Sequence, residues 1–276
     1  MGEVRMLTRR DTPEVFRILD RRPIDNIVAS SKVSRQRLEP AWTGSELIGY
    51  FEGPHLVSAL VDGFSLHPIN ATDEALDAFS SCLEHRRCSS ILGVRDEAMG
   101  LWERLCTRSF PQWASPREVR DHQKVMAISQ DPAVVPSQSV EVITTRHLDR
   151  YLEASIAMYT EEVGVAPISP QGSYRDHVTQ MMMKGHSYGV LGADSVLFKA
   201  DVVATSGMIC QIGGVWLAPQ LRGQGLSKTF MAGVVAQCRQ RFSTVSLYVN
   251  HYNLPAVRCY ESVGFTQVGE CATIMY

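Results

Sequence analysis

Val215-Trp216-Leu217-Ala218-Pro219-Gln220-Leu221-Arg222-Gly223-Gln224-Gly225-Leu226-Ser227 is the stretch on which the reading of the chain turns. It starts apolar, is broken at Pro219, and carries two glycines just before a helical pattern running from Leu226 to about Arg241. The predicted order is strand, tight turn, helix start. The first turn of a helix has N–H groups without intrahelical partners and the positive end of the dipole. Glycines let such a backbone approach a phosphate closely. The stretch therefore predicts an anion site. Two common nucleotide patterns are not met. Gly223 and Gly225 supply the first two glycines of G-x-G-x-x-G, but Lys228 stands at the third. No Gly-Lys-Ser/Thr follows at the phosphate-loop spacing.

Upstream, Ser195 to Ala200 and Met208 to Ile212 read as successive strands, the second continuing through Gly213-Gly214 into Val215 to Leu217. The paired glycines predict a bulge or a close backbone approach. Downstream, Val245 to Val249 reads as a strand and Pro255 to Val263 as a helix. Here two motifs meet in order. Arg222 to Ser227 resembles the Arg/Gln-x-x-Gly-x-Gly/Ala motif of the GNAT (Gcn5-related N-acetyltransferase) superfamily, with Ser227 in place of the last Gly or Ala. Asn253, Ala256, Tyr260, Gly264 and Phe265 fit the family's Asn-x-x-Ala-x-x-x-Tyr-x-x-x-Gly-Phe. Thr160 to Val165, Phe198 to Ala200 and Gly214 to Trp216 are similar to an actinobacterial-type GNAT group whose N-terminal part is a domain of unassigned function.

The resemblance implies an acyl-CoA site, with acetyl-CoA as the expected acyl donor. The backbone of Val215, Trp216 and Leu217 would pair with the pantetheine arm. Arg222, Gly223, Gln224, Gly225, Leu226 and Ser227 would hold the pyrophosphate, the Ser227 hydroxyl adding a bond. Asn253 would bond the arm, and Ala256 would keep that surface flat. Tyr260 matches the phenol that protonates the departing thiolate. A strand N–H near Trp216 or Leu217 is the expected oxyanion donor. The base is open: the strand from Met208 to Leu217 has no Asp or Glu, which leaves Glu161, Glu162, Asp201, His251 or a water chain. The expected activity is N-acyl transfer to a primary amine of a small molecule, peptide or protein. The alternative is an acyl-CoA sensor or scaffold without turnover.

The chain has 276 residues, enough for two modest domains. Asp131 to Ser139, with Pro132 and Pro136 and no helical periodicity, is the expected linker. It predicts domains at 1–131 and 138–276. The halves open alike: Val4 to Thr8 and Val140 to Thr144 alternate like strands, followed by helices from Asp11-Thr12-Pro13 and from His147 to about Glu161. They also close alike. Ser90 to Val94 leads into a helix from Asp96 to Thr107, and His122 to Ala127 and Cys271 to Tyr276 each read as a last strand. The pattern suggests a duplication. The expected fold class is α/β (α+β), with tandem GNAT-like mixed-sheet domains. At the spacing of Asn253, Ala256 and Tyr260 the first half has Arg95, Ala98 and Trp102. The turn near Asn70-Ala71-Thr72 has no Arg-Gly-x-Gly. Tryptophan cannot serve as an acid, so the N-terminal domain is expected to be degenerate, without a cofactor.

Hydrophobic residues at 45% and charged residues at 20% are ordinary for a globular protein. A net charge of −2 leaves no basic field for nucleic acid or anionic lipid. Arg9-Arg10, Arg21-Arg22 and Arg86-Arg87 are short, and solvated helix faces are their expected place. Seven cysteines, an odd number without C-x-x-C spacing, predict free thiols in a reducing compartment. The eight histidines show no metal-ligand spacing, so no metal is expected. The polar Met1 to Arg5, with no apolar stretch after it, and the lack of a long apolar run predict a cytoplasmic protein without a membrane segment. A dimer stays open. Met181-Met182-Met183 is expected to pack a helix against the acceptor side.

Overall fold

One order of elements occurs twice in this computed structural model, which describes residues 2–36, 46–83, 88–108, 112–167 and 172–276. Arg86-Arg87 lies outside the described residues. The first pass is β1 (Glu3–Met6), α1 (Thr12–Leu19), α2 (Ile27–Gln36), β2 (Glu46–Glu52), β3 (His55–Asp62), β4 (Ser65–Ile69), α3 (Asp73–Cys82), β5 (Ser90–Val94), α4 (Arg95–Thr107) and β6 (Glu118–Ile128). The second is β7 (Glu141–Val142), α5 (Leu148–Val163), α6 (Ser173–Met183), β8 (Ser187–Leu191), β9 (Val196–Ser206), β10 (Ile209–Leu217), α7 (Leu226–Arg239), β11 (Thr244–Asn250), α8 (Leu254–Val263) and β12 (Thr266–Met275). Contacts divide the chain into two units. The first is 1–125, 248–252 and 267–276; the second is 126–247 and 253–266.

In the first unit β1 to β4 form an antiparallel meander, and β4 pairs parallel with β5 across the α3 crossover. Two apolar clusters fill it. One packs Val15, Ile18 and Leu19 of α1 with Leu56 and Val61 of β3. The other packs Phe79 of α3 and Leu101 of α4 with Leu60 and Ile91. The C-terminal strand is placed differently from the sequence expectation. Instead of closing the second half, β12 pairs antiparallel with β5, Cys271 opposite Val94 and Met275 opposite Ser90. Ala272 and Ile274 join the α3–α4 cluster. Both last strands carry the same alternating pattern, and that pattern specifies a face but not a neighbour.

In the second unit β7, β8, β9 and β10 are successively antiparallel, and β10 runs parallel to β11 across the α7 crossover. Ile143, Tyr151, Ala154, Val178 and Met182 form a cluster that places α5 and α6 on one face. Met181 and Met182 are buried as packing residues, and Met183 is exposed. α5 ends at Gly164, which takes the left-handed conformation at φ 80°. The predicted helices after β10 and β11 and the predicted bulge are all present. The expected strand at Val140 to Thr144 is only the two-residue β7. No element covers Asp131 to Ser139, yet the segment is anchored: Ala133 N–H donates to Val263 O at 2.9 Å and Ser137 N–H to Thr229 O at 3.0 Å.

Arg22, expected on a solvated face, pairs with the buried Glu97 carboxylate. The cysteines form no disulfide among the described residues. Among those residues no helix is long and apolar enough to cross a membrane, and no group of three or more His, Cys, Asp or Glu side chains could hold a metal.

Candidate functional site

β10 changes partners along its length. Its ladder with β11 runs from Ile209 opposite Thr244 to Ile212 opposite Leu247. Its ladder with β9 continues to Leu217 opposite Phe198, but skips between Gly213 and Trp216. Gly214 and Val215 fall in that skip, and Gly214 has φ 58°. Among the described residues, then, Gly213 to Leu217 is a bulged strand end paired on the β9 side.

Beyond Leu217 the chain makes one short turn at Pro219–Leu221 and reaches α7. Gly223 and Gly225 both hold positive φ, at 77° and 74°. A side chain at Gly223 would meet open space, so the requirement there is conformational, not steric. Gly225 is the N-cap of α7 and offers no capping side chain, and the first turn carries no acid. The first N–H groups of α7 are thus left for an outside acceptor.

Arg222 organises the near side of this turn. Its Nε donates to Leu217 O at 2.9 Å, and its Nη2 donates to Glu161 Oε2 at 2.7 Å. Trp216 Nε1 donates to the other Glu161 oxygen at 3.1 Å. Burial is the largest influence on Glu161 and pushes its carboxyl up, but the bonds from Trp216 and Arg222 together outweigh it and the net direction is down. Glu161 therefore anchors the turn to α5. Gln224 Nε2 closes onto Gln220 O at 2.9 Å. Leu226 begins α7; burial raises the Cys259 thiol of α8 above its ordinary value, and the Ser227 hydroxyl opposes that shift.

α8 starts at Asn253, whose Oδ1 accepts from Ala256 N–H at 3.3 Å. Tyr260 lies one turn on, buried, with its ring centroid 5.9 Å from that of Phe265. Burial first, then the charges of Cys259 and Glu162, push its phenol well above the ordinary tyrosine value. Glu162 acts electrostatically on Tyr174 as well, after the larger influences of burial, Asp201 and Tyr159.

Asp201 is engaged through both oxygens. Oδ1 accepts from Tyr151 Oη at 2.9 Å and from Ser187 Oγ at 2.8 Å, and Oδ2 accepts from Lys199 Nζ at 2.7 Å. Lys199 and Glu161, whose partners lie far along the chain or on the backbone, are structural partners of the strand that the sequence does not mark as such. His251 belongs to the first unit, where its Nδ1 lies 2.9 Å from His122 O.

The matching places of the first unit are built otherwise. Thr72 caps α3 by accepting from Ala75 N–H at 3.3 Å, and Asp73 and Glu74 occupy its first turn. Those carboxylates put negative charge where an anion would otherwise be attracted. Arg95 donates to Asp96 at 3.1 Å, and Trp102 Nε1 donates to Trp113 O at 3.0 Å.

Comparison with known proteins agrees with this geometry. Residues 188–265 match the acetyltransferase (GNAT) family model, and residues 45–151 match that of a domain of unknown function (DUF4081). No curated protein matches the chain. Solved structures share the fold over nearly the full length. An acetyltransferase of the GNAT family from Colwellia psychrerythraea has 11% identity and a TM-score of 0.59, with 99% of each chain covered. A tandem GNAT protein from the clavulanic acid biosynthesis pathway has 14% identity and a TM-score of 0.59, over 100% of this chain and 98% of that one. A GCN5-related N-acetyltransferase from Sphaerobacter thermophilus has 12% identity and a TM-score of 0.62, over 99% and 95%. The chain thus has the mixed α/β fold of tandem GNAT structures, with a segment at residues 45–151 that matches DUF4081 and one at residues 188–265 that matches the acetyltransferase (GNAT) family.

Proposed function

We propose that the second unit is an acyl-CoA-dependent N-acyltransferase, with acetyl-CoA as donor and a primary amine of a small molecule, peptide or protein as acceptor. One conjunction carries the reading: the uncapped, acid-free start of α7 follows a bulged strand end in the same unit that holds the buried phenol of Tyr260. The residues fit a CoA ester. The N–H groups of Gly223 to Ser227 meet the pyrophosphate. Arg222 has five N–H donors, of which two are engaged, so it can face a phosphate without leaving Leu217 or Glu161. Val215, Trp216 and Leu217 pair with the pantetheine arm as an added strand would. Asn253 caps α8 with its oxygen and turns its amide N–H groups to the arm, and Ala256 leaves room beside it.

The chain's own groups then serve three tasks. A strand N–H stabilises the charge that develops on the thioester oxygen. Tyr260 supplies a proton to the departing sulfur, and its burial keeps it protonated through the neutral range. A base near the acceptor amine takes its proton as it attacks the thioester. Of the carboxylate candidates, Glu161 is held by Arg222 and Trp216, and Asp201 by three donors. The base is left open among Glu161, Glu162, Asp201, His251 and a water chain, as the sequence leaves it. In the second unit no Asp or Glu stands on β10 itself, which favours a second reading: an acyl-CoA sensor without turnover.

Incubation with acetyl-CoA and a broad amine panel, with thiol release as readout, separates the two. The enzyme reading expects turnover that falls about 10²-fold or more in Tyr260→Phe, the scale of a lost general acid, with CoA affinity little changed. Binding without turnover on any amine would favour the sensor.

A further inference from the structure

Lys199 sits within β9 and its side chain is 1% exposed. A buried ammonium is costly unless paired, and even a paired one contributes little net stability compared with well-packed apolar residues. Its surroundings are nonetheless elaborate. Asp201 holds Nζ at 2.7 Å and is itself held by Tyr151 and Ser187. The Tyr151 ring lies under the ammonium, with its centroid 5.2 Å from Nζ. What this arrangement fixes is one backbone atom: Nζ donates to Gly214 O at 3.0 Å. Gly214 is the bulged residue at φ 58°, and a Cβ there would come 3.1 Å from Lys199 Nζ and 3.2 Å from Asp201 Oδ2. The clamp and the glycine require each other.

No cis peptide bond occurs among the described residues, so the Gly214–Val215 peptide is trans and planar. Its N–H is antiparallel to its C=O. With the carbonyl of Gly214 drawn to Lys199, the N–H of Val215 is aimed away from Lys199. A cation on the carbonyl also polarises the amide and strengthens its N–H as a donor. Val215 lies in the skip of the β9 ladder, between the paired positions Gly213 and Trp216.

We infer that Lys199 is a positioning residue that sets and strengthens the N–H of Val215 as the donor to the acyl oxygen, with Asp201, Tyr151 and Ser187 holding Lys199 in place. This rests on the acyl-CoA reading above and moves the oxyanion donor from Trp216 or Leu217 to Val215.

The test uses acetyl-CoA labelled with carbon-13 at the acyl carbonyl, with binding of acetyl-CoA and of CoA, which has no acyl oxygen, measured in parallel on the full chain. The bound carbonyl resonance of the wild type is expected downfield of free acetyl-CoA. In Lys199→Met it is expected to return toward the free value, with kcat down about 10²-fold, the scale of a lost oxyanion donor, and CoA affinity retained. Lys199→Arg, which keeps the charge, should recover part of the shift. Because Lys199→Met leaves Asp201 buried without its cation, Lys199→Met/Asp201→Asn is measured beside it as the charge-free control of folding. An unchanged resonance in the folded variants would overturn the inference and leave the acyl-CoA reading standing. An equal loss of CoA and acetyl-CoA affinity would reduce Lys199 to a structural role and overturn it too. A wild type that binds neither ligand would remove the reading and the inference together.

Discussion

Glu161 stands in the last turn of α5, at the negative end of that helix dipole, where no basic residue accompanies it. A carboxylate there is unfavourable unless donors offset it, and Trp216 and Arg222 supply them. The side chain thus ties the turn that leads into α7 to α5. His67 in β4 shows the opposite logic in the first unit. It is buried beside Lys32, with Nζ 2.6 Å from Nε2. Burial first, and then the Lys32 charge, push it down from 6.5 to about 3. The folded form then resists a proton that the unfolded chain accepts below about pH 6.5. Its contribution to stability is complete above that value and is lost as pH falls toward 3. At full extent the loss is on the order of 5 kcal/mol, a large share of a domain's stability. Urea midpoints of the wild type should drop steadily from pH 7 to pH 4, and His67→Gln should flatten that slope; parallel slopes would contradict the assignment. Glu161 reads in the sequence as a candidate base and not as an anchor, and His67 does not announce itself at all. The same holds for Lys199, which in Phe198-Lys199-Ala200 reads like one polar position of an alternating strand, because its partner atoms lie on Asp201 and on Gly214.

The elements around the turn were legible for a physical reason: glycine at positive φ, an apolar strand before it and a helical period after it are all local signals. Hence β10, its bulge, α7, β11 and α8 fall close to where the residues place them. Strand partnership is not local, and β12 shows the consequence. Its alternation predicts a strand, but its place beside β5 depends on which sheet offers a matching edge. Helix packing yields a sign that propensity alone would reverse. Gly233 lies inside α7, where alanine is ordinarily better by about 1 kcal/mol. A Cβ there would come 2.9 Å from Ser137 O and 2.7 Å from Val140 Cγ2, and the first of these is backbone that cannot swing aside. Gly233→Ala is expected to destabilise by about 1–3 kcal/mol, as overpacking does. Chemical denaturation of the variant would decide it, and a gain in stability would show that the Asp131–Ser139 segment does not bear on α7.

At the scale of the molecule, one element order runs twice through the chain, but only one pass has an open, acid-free helix start after its fourth strand. In the other pass Thr72 caps the equivalent helix, and Asp73 and Glu74 sit in its first turn. The repeated element order was visible in the sequence as similar openings and closings of the halves. The acids at the start of α3 gain their meaning only once the two helix starts are compared. The proposed acyl-CoA site is single per chain and belongs to the second unit. Calorimetric titration of the full chain with acetyl-CoA tests this most directly. The predicted result is one equivalent bound per chain, lost in Gly225→Val and kept in Thr72→Ala. Two equivalents, none, or a site that survives Gly225→Val would contradict it.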